Sequence, residues 1–241
     1  MALIVQKYGG SSVSSPEKIK EIAKRVLATK RKGNNVITVV SAMGNTTDEL
    51  LELASQVNSH PPKRELDMLL STGEIVSSAL LSMALHSLGG KVVAFSGPQV
   101  GIITDEAYSK ARILKIETQR IRKEIREDKI VVVAGYQGVT SQNTITTLGR
   151  GGSDTTAVAL AAALGADLCE IYTDVEGVYI TDPQIIPEAR KLERISYEEM
   201  LEMASLGAKV IHLRAVEMAK KYKVPLHIRS SFSKKEGTII D

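Results

Sequence analysis

Apolar and polar positions along the chain follow two periods in turn. Residues 3–8, 35–42, 91–95, 130–134 and 168–173 are short runs with few polar breaks, as in Val36-Ile-Thr-Val-Val40, and read as strands buried on both faces. Between them the apolar positions recur at helical spacing. Ile19, Ile22, Ala23, Val26 and Leu27 form one such face. It follows a helix start at Ser15-Pro16-Glu17 and stops at Gly33. Thr46 and Glu49 have the spacing of a capping box and predict a second helix. After His60-Pro61-Pro62 the pattern predicts two helices, 63–70 and 74–88, separated by Ser71-Thr72-Gly73. A short extended piece is expected near Ile102 and a charged amphipathic helix over 112–126. A hairpin follows over 135–148, then helices over 197–204 and 209–222 and a final strand over 226–229. Strand, helix and strand alternate, so the fold class is α/β, with a mainly parallel sheet and helices on both faces.

One stretch stands out within that pattern. The extended run 144–148 enters Gly149-Arg150-Gly151-Gly152-Ser153-Asp154, and an Ala- and Leu-rich helix leaves it. Three glycines let backbone N–H groups face a ligand and allow positive φ. A helix start offers unpaired N–H groups and the positive end of its dipole, which suits an anion. Arg150 adds a planar fork that matches a carboxylate or phosphate. The plain alternative is a capped helix with Ser153 or Asp154 as N-cap. In open α/β sheets ligands bind beyond the carboxyl ends of the strands. Lys7 sits late in an otherwise apolar first strand, with Gly9 and Gly10 just beyond its end. It reaches either solvent or a bound phosphate. Glu74 is either a first-turn acid or the partner of a substrate ammonium. Lys209, read as the opening of a helix, faces an unfavourable dipole unless an anion is near.

Composition narrows the function classes. The 241 residues are 43% hydrophobic and 24% charged, with a net charge of +3. That is ordinary for a globular protein and too little charge to argue for nucleic acid. No apolar run reaches the ~18 residues expected of a membrane span, and the N-terminus lacks the features of a leader peptide. The lone Cys169 and the absence of an internal disulfide suit the cytoplasm. His60, His86, His212 and His227 have no zinc-ligand spacing, and no metal ligands are assigned. The P-loop, dinucleotide-binding, protein-kinase and nucleophile-elbow signatures are all missing.

Seven motifs in order carry a family resemblance across nearly the whole chain. They are Lys7-Tyr-Gly-Gly-Ser-Ser12, Ser41-Ala-Met-Gly-Asn-Thr-Thr47, Ser71-Thr-Gly-Glu74, Gly149-Arg-Gly-Gly-Ser-Asp154, Tyr172-Thr-Asp-Val-Glu-Gly-Val-Tyr179, Gly207-Ala-Lys-Val-Ile-His212 and Arg229-Ser-Ser-Phe232. Together they resemble the aspartate kinases, a branch of the amino acid kinase family. The resemblance implies a three-layer αβα sandwich, ATP with Mg²⁺, and phosphorylation of the aspartate side-chain carboxylate, the entry to lysine, threonine and methionine synthesis. It implies an amino-acid-binding lobe over about 1–166 and a nucleotide-binding lobe over about 167–241.

The same resemblance assigns roles residue by residue. Lys7 and Asp154 would be catalytic, one touching the phosphate and the other organising the active-site lysines. Ser41, Thr47, Glu74, Arg150, Gly151, Gly152 and Ser153 would bind the amino acid. Lys7, Tyr8, Gly9, Gly10, Thr173, Asp174, Tyr179, Asp182, Lys209 and Val210 would line the ATP site. Relatives in the same fold phosphorylate glutamate or acetylglutamate, and a non-catalytic amino-acid-binding protein is a further alternative. A homodimer is expected, and the apolar helix over 74–88 is either its face or, as the plainer alternative, part of the core. The chain departs from the family pattern at Glu176, Gln184 and Leu213. It ends at Gly237-Thr-Ile-Ile-Asp241, where a linker to regulatory domains would begin, so a catalytic unit without lysine or threonine feedback is expected.

Overall fold

The computed structural model describes residues 1–183 and 185–241, which places Gln184 outside the described residues. The chain runs β1 (Leu3–Tyr8), α1 (Pro16–Arg31), β2 (Asn35–Val40), α2 (Thr46–Val57), α3 (Lys63–Ser87), β3 (Val92–Phe95), β4 (Ile102–Thr104), β5 (Ile113–Ile116), α4 (Gln119–Arg126), β6 (Ile130–Ala134), β7 (Gln137–Val139), β8 (Ile145–Thr147), α5 (Gly152–Leu164), β9 (Leu168–Thr173), β10 (Arg194–Ile195), α6 (Tyr197–Ser205), α7 (Leu213–Tyr222), β11 (Leu226–Ser230) and β12 (Thr238–Ile240). Eight strands form the central sheet in the order β10-β12-β11-β9-β1-β2-β6-β3. All its pairs are parallel except β11 with β12.

The strands with the most continuous apolar runs lie inside the sheet, each paired on both sides. β6 is buried at every position, and β2 from Val36 to Val40. Alternate residues feed two cores. Val5, Val39, Val133, Ile171 and Ile228 pack with α5 and α7 residues such as Leu160 and Val216. Tyr8, Val36, Val40, Val132 and Tyr172 pack with α1 and α3 residues such as Val26 and Leu81. This gives the expected αβα layering.

Several expectations are corrected. Lys63–Ser87 is one helix of 25 residues, not two. Gly73 does not break it. A Cβ there would lie 2.8 Å from Ala42 Cβ, so the glycine lets the helix approach the end of β2. The continuous α3 is long and apolar enough, by length and composition, to cross a bilayer, although 50% of its most apolar stretch is buried within the fold. The helix expected over 112–126 begins only at Gln119, and Ile113–Ile116 is an edge strand of a second, smaller sheet ordered β5-β4-β7-β8. Thr46 is the first helical residue of α2 rather than its cap, and Asn45 at the cap position makes no side-chain capping bond. α7 starts at Leu213, so Lys209 does not open a helix and the dipole argument for it falls. β12 follows β11, and β10 pairs beside it.

Candidate active site

Lys7 sits two residues beyond Val5, on the α5 face of β1. Its neighbours in register are Val39 on β2 and Ile171 on β9, both apolar core residues. A cation there needs a partner, and α5 supplies it. Lys7 Nζ stands 2.7 Å from Asp154 Oδ1, with each side chain only 12% exposed. The contact is close but not aligned as a hydrogen bond, and Asp154 Oδ1 has no hydrogen-bond partner. Asp154 Oδ2 accepts the His212 backbone N–H at 3.4 Å. The two charges are matched while their hydrogen-bonding capacity is underused.

The glycine turn delivers Asp154 to this place. Gly151 caps α5 in the left-handed region at φ 68°, which displaces the expected Ser153 or Asp154 cap into the first turn. A Cβ on Gly151 would lie 2.2 Å from the His212 ring, so only glycine fits both the angle and the contact. Thr155 makes the first helical bond, to the Gly151 carbonyl. The Ser153 and Asp154 N–H groups therefore have no helical acceptor. Arg150 is exposed at the apex. Ser153 is buried and faces the end of β6, where a Cβ on Gly135 would lie 2.7 Å from its Oγ.

On the other face of the sheet edge, Glu74 is buried in the middle of α3, not at a helix start. Its Oε1 accepts the Ala42 N–H at 3.1 Å, and its Oε2 has no partner. Burial pushes the Glu74 carboxyl up to about 8, against the lowering effect of the Ala42 hydrogen bond. Ser41 and Thr47 flank this corner at the end of β2 and the first turn of α2. The loops after β1 and β2 meet there, as the Gly44 N–H bonds the Gly10 carbonyl at 3.1 Å. Gly9 donates its N–H to the Tyr172 carbonyl at 3.3 Å. That leaves Gly10 as the better free donor. The Tyr8 side chain is fully buried and stacks on Tyr172 at 4.7 Å, so it can offer a ligand only backbone atoms.

The structure thus brings Lys7, Gly9, Gly10, Ser41, Glu74, Ser153 and Asp154 to one edge of the central sheet. Thr173 and Asp174 extend that edge along β9, with Thr173 Oγ1 donating to Asp174 Oδ1 at 3.0 Å. The remaining expected residues lie in segments beyond it. Tyr179 is bridged to Lys191. Asp182 is exposed, and its carbonyl accepts from Ile185 and Ile186. Lys209 is exposed between α6 and α7, while Val210 packs against the core. Of the departures, Glu176 pairs with Lys235 at 3.1 Å and Leu213 is the first residue of α7. His212 caps that helix, and burial lowers its imidazole below the usual histidine range.

Sequence reasoning missed two residues here. Arg214 Nη2 bonds the carbonyls of Leu148 and of Arg150, the latter at 3.1 Å, and so grips the glycine turn from behind. Asp67 bonds the strand that enters the same turn. Each contact links residues more than sixty positions apart, and no local pattern announces it.

Residues 2–230 match the model of the amino acid kinase family. The chain belongs to that family. Among curated relatives, the aspartokinase of Bacillus sp. (strain MGA3) is 59% identical over 241 residues, covering 100% of this chain and 59% of its own. A solved aspartate kinase from Synechocystis is 53% identical with a TM-score of 0.89, over 99% of this chain and 39% of that one. E. coli aspartokinase III, solved in complex with aspartate and ADP, is 26% identical with a TM-score of 0.88, over 99% of this chain and 64% of that one. The chain spans about six tenths of the length of the curated relatives it matches.

Proposed function

We propose that this chain carries the catalytic site of an aspartate kinase, transferring the γ-phosphoryl group of ATP to the side-chain carboxylate of aspartate. The Lys7–Asp154 pair at the sheet edge, with the unpartnered Glu74 oxygen across the corner, is the observation that carries the reading. The relatives named aspartokinase and the relative solved with aspartate and ADP support it. The acceptor carboxylate is already ionised at neutral pH, so the site needs no general base. Catalysis is then positioning plus neutralisation of charge on the phosphoryl group in flight. Lys7 turns from Asp154 towards the transferring oxygens, and Asp154 keeps it oriented between turnovers.

Glu74 offers its orphan oxygen to the substrate ammonium. Arg150 and the N–H groups at the start of α5 hold the α-carboxylate, with Gly151, Gly152 and Ser153 shaping the turn, and Ser41 and Thr47 close the corner. The acceptor thus lies on the 1–166 side. Lys7, Gly9, Gly10, the Tyr8 backbone, Thr173, Asp174, Tyr179, Asp182, Lys209 and Val210 belong to the nucleotide on the 167–241 side and its border. Among the described residues no group of three or more His, Cys, Asp or Glu could hold a metal ion. Mg²⁺ would be held mainly by the nucleotide phosphates and water, where it would screen their charge. The product feeds lysine, threonine and methionine synthesis in the cytoplasm, where a reduced, buried thiol such as Cys169 persists. Met68, Ile75, Val76 and Met83 form an exposed apolar stripe on α3 and are the proposed homodimer face.

ADP release with Mg·ATP and aspartate, glutamate or N-acetylglutamate tests the reading. Turnover on aspartate alone is expected. N-acetylglutamate lacks the ammonium that Glu74 requires, and preference for it would overturn the proposal.

A further inference from the structure

Asp67 is fully buried on α3, and among the described residues no cation pairs with it. Hydrogen bonds alone satisfy its carboxylate. Ser109 N–H reaches both oxygens at 3.0 and 2.9 Å. Thr147 donates its N–H to Oδ2 at 2.7 Å and its hydroxyl to Oδ1 at 2.8 Å. A buried carboxylate is tolerated only where such donors are fixed, so the donors are fixed in turn.

Those donors bracket the glycine turn. Thr147 is the last residue of β8, and the turn begins at Leu148. Ser109 holds a left-handed backbone at φ 69°, and a Cβ on Gly149 would lie 2.8 Å from its carbonyl oxygen. The rest of the turn is then bonded step by step. Leu148 N–H goes to the Tyr136 carbonyl at 2.8 Å, and Gly152 N–H to the Gly149 carbonyl at 2.9 Å. Arg214 takes the carbonyls of Leu148 and Arg150. Asp67 therefore grips the N–H side of the entry to the turn while Arg214 grips its carbonyls. Asp67 also lies seven positions before Glu74 on the same unbroken helix. Seven residues bring both onto one face, about 10 Å apart along the axis. A single rigid element thus carries the Glu74 carboxylate and anchors the turn that bears Arg150.

We propose that Asp67 is a positioning residue that sets the spacing between the two ends of the acceptor site. It controls affinity for the amino acid and leaves affinity for the nucleotide unchanged. The choice of aspartate as probe rests on the proposed function, whereas the grip on the turn does not.

The test compares Asp67→Ala, Asp67→Asn and Thr147→Val with the unaltered chain. Asp67→Ala is expected to raise the aspartate KM at least ~10-fold and the ATP KM less than ~2-fold, as a misplaced positioning group does. Asp67→Asn keeps an oxygen for the Thr147 and Ser109 N–H groups and is expected to recover most of that loss. Thr147→Val removes one donor and should shift the aspartate KM in the same direction by less. It keeps the proposal falsifiable if Asp67→Ala does not fold. Amide exchange across residues 147–152 should accelerate in Asp67→Ala without any substrate present. An unchanged aspartate KM in folded variants, or an ATP KM rising in step with it, overturns the proposal. If the unaltered chain does not turn over aspartate, the functional reading fails instead. The exchange rates then decide the grip, and unaltered exchange would refute it.

Discussion

Two partly buried ion pairs stand on opposite faces of the same sheet, and they are built differently. Arg229 Nη1 bonds Glu170 Oε1 at 3.0 Å, and Glu170 Oε2 accepts from Gln6 at 2.7 Å and from the Tyr172 hydroxyl at 3.2 Å. Every oxygen of that carboxylate is used, and the groups around it stack on one another, with Tyr172 against Tyr8 and Arg25 over Tyr172. The Lys7–Asp154 pair is shorter yet poorer, since Asp154 Oδ1 has no hydrogen bond and Oδ2 has one long one. A closed network fixes a fold, because any rearrangement strands a charge. An open pair can exchange its partner for a passing phosphoryl oxygen at small cost. Satisfaction of the carboxylate, rather than distance between the charges, separates the structural pair from the one proposed to be catalytic.

Four predictions probe that contrast. Lys7→Ala should lower kcat by ~10²–10³, the loss typical of one preorganised donor, with modest change in KM and a folded protein by circular dichroism. Glu170→Ala should do the reverse. It leaves Arg229 without its partner and should cost about 3 kcal/mol in denaturant unfolding, with kcat within about twofold. Loss of turnover in a folded Glu170→Ala protein would erase the distinction.

The third prediction concerns pH. Burial holds the Glu74 carboxyl at about 8, so it is largely protonated at neutral pH and, in the proposed role, must release a proton to receive the substrate ammonium. The aspartate KM should fall about tenfold per pH unit as pH rises towards about 8 and level off beyond it. Glu74→Gln should flatten that profile. The stability sign is opposite. The raised carboxyl contributes stability that is fully present below its unfolded value of 4.5 and is lost as pH rises through about 8. Urea midpoints across that window measure it. The smallest effect is expected at the exposed Lys235–Glu176 pair. Lys235→Ala should leave both Tm and kinetics unchanged, which would show that the Glu176 departure is neutral.

The regular parts of the fold were legible because their signals are local. The inner strands announce themselves as apolar runs, and Lys7 stands out as the charge late in one. The Gly149–Asp154 turn was legible for the same reason. Where reading failed, a residue served a distant contact. Gly73 looked like a break but clears space for Ala42. Ile113–Ile116 fits a helical period as well as a strand, and only pairing with β4 decides it. Asp67 carries no local signal, because its partners lie up to 80 positions along the chain. The link from sequence to local structure is therefore mostly readable, and the link from packing to site geometry is not.

The claim that Lys7 and Asp154 act as one device is tested most directly by single-turnover phosphoryl transfer in Lys7→Ala, Asp154→Ala and the double variant, at saturating aspartate and Mg·ATP. If the pair is a unit, the double variant is no slower than the worse single variant. Losses that multiply would show two independent residues and contradict the account.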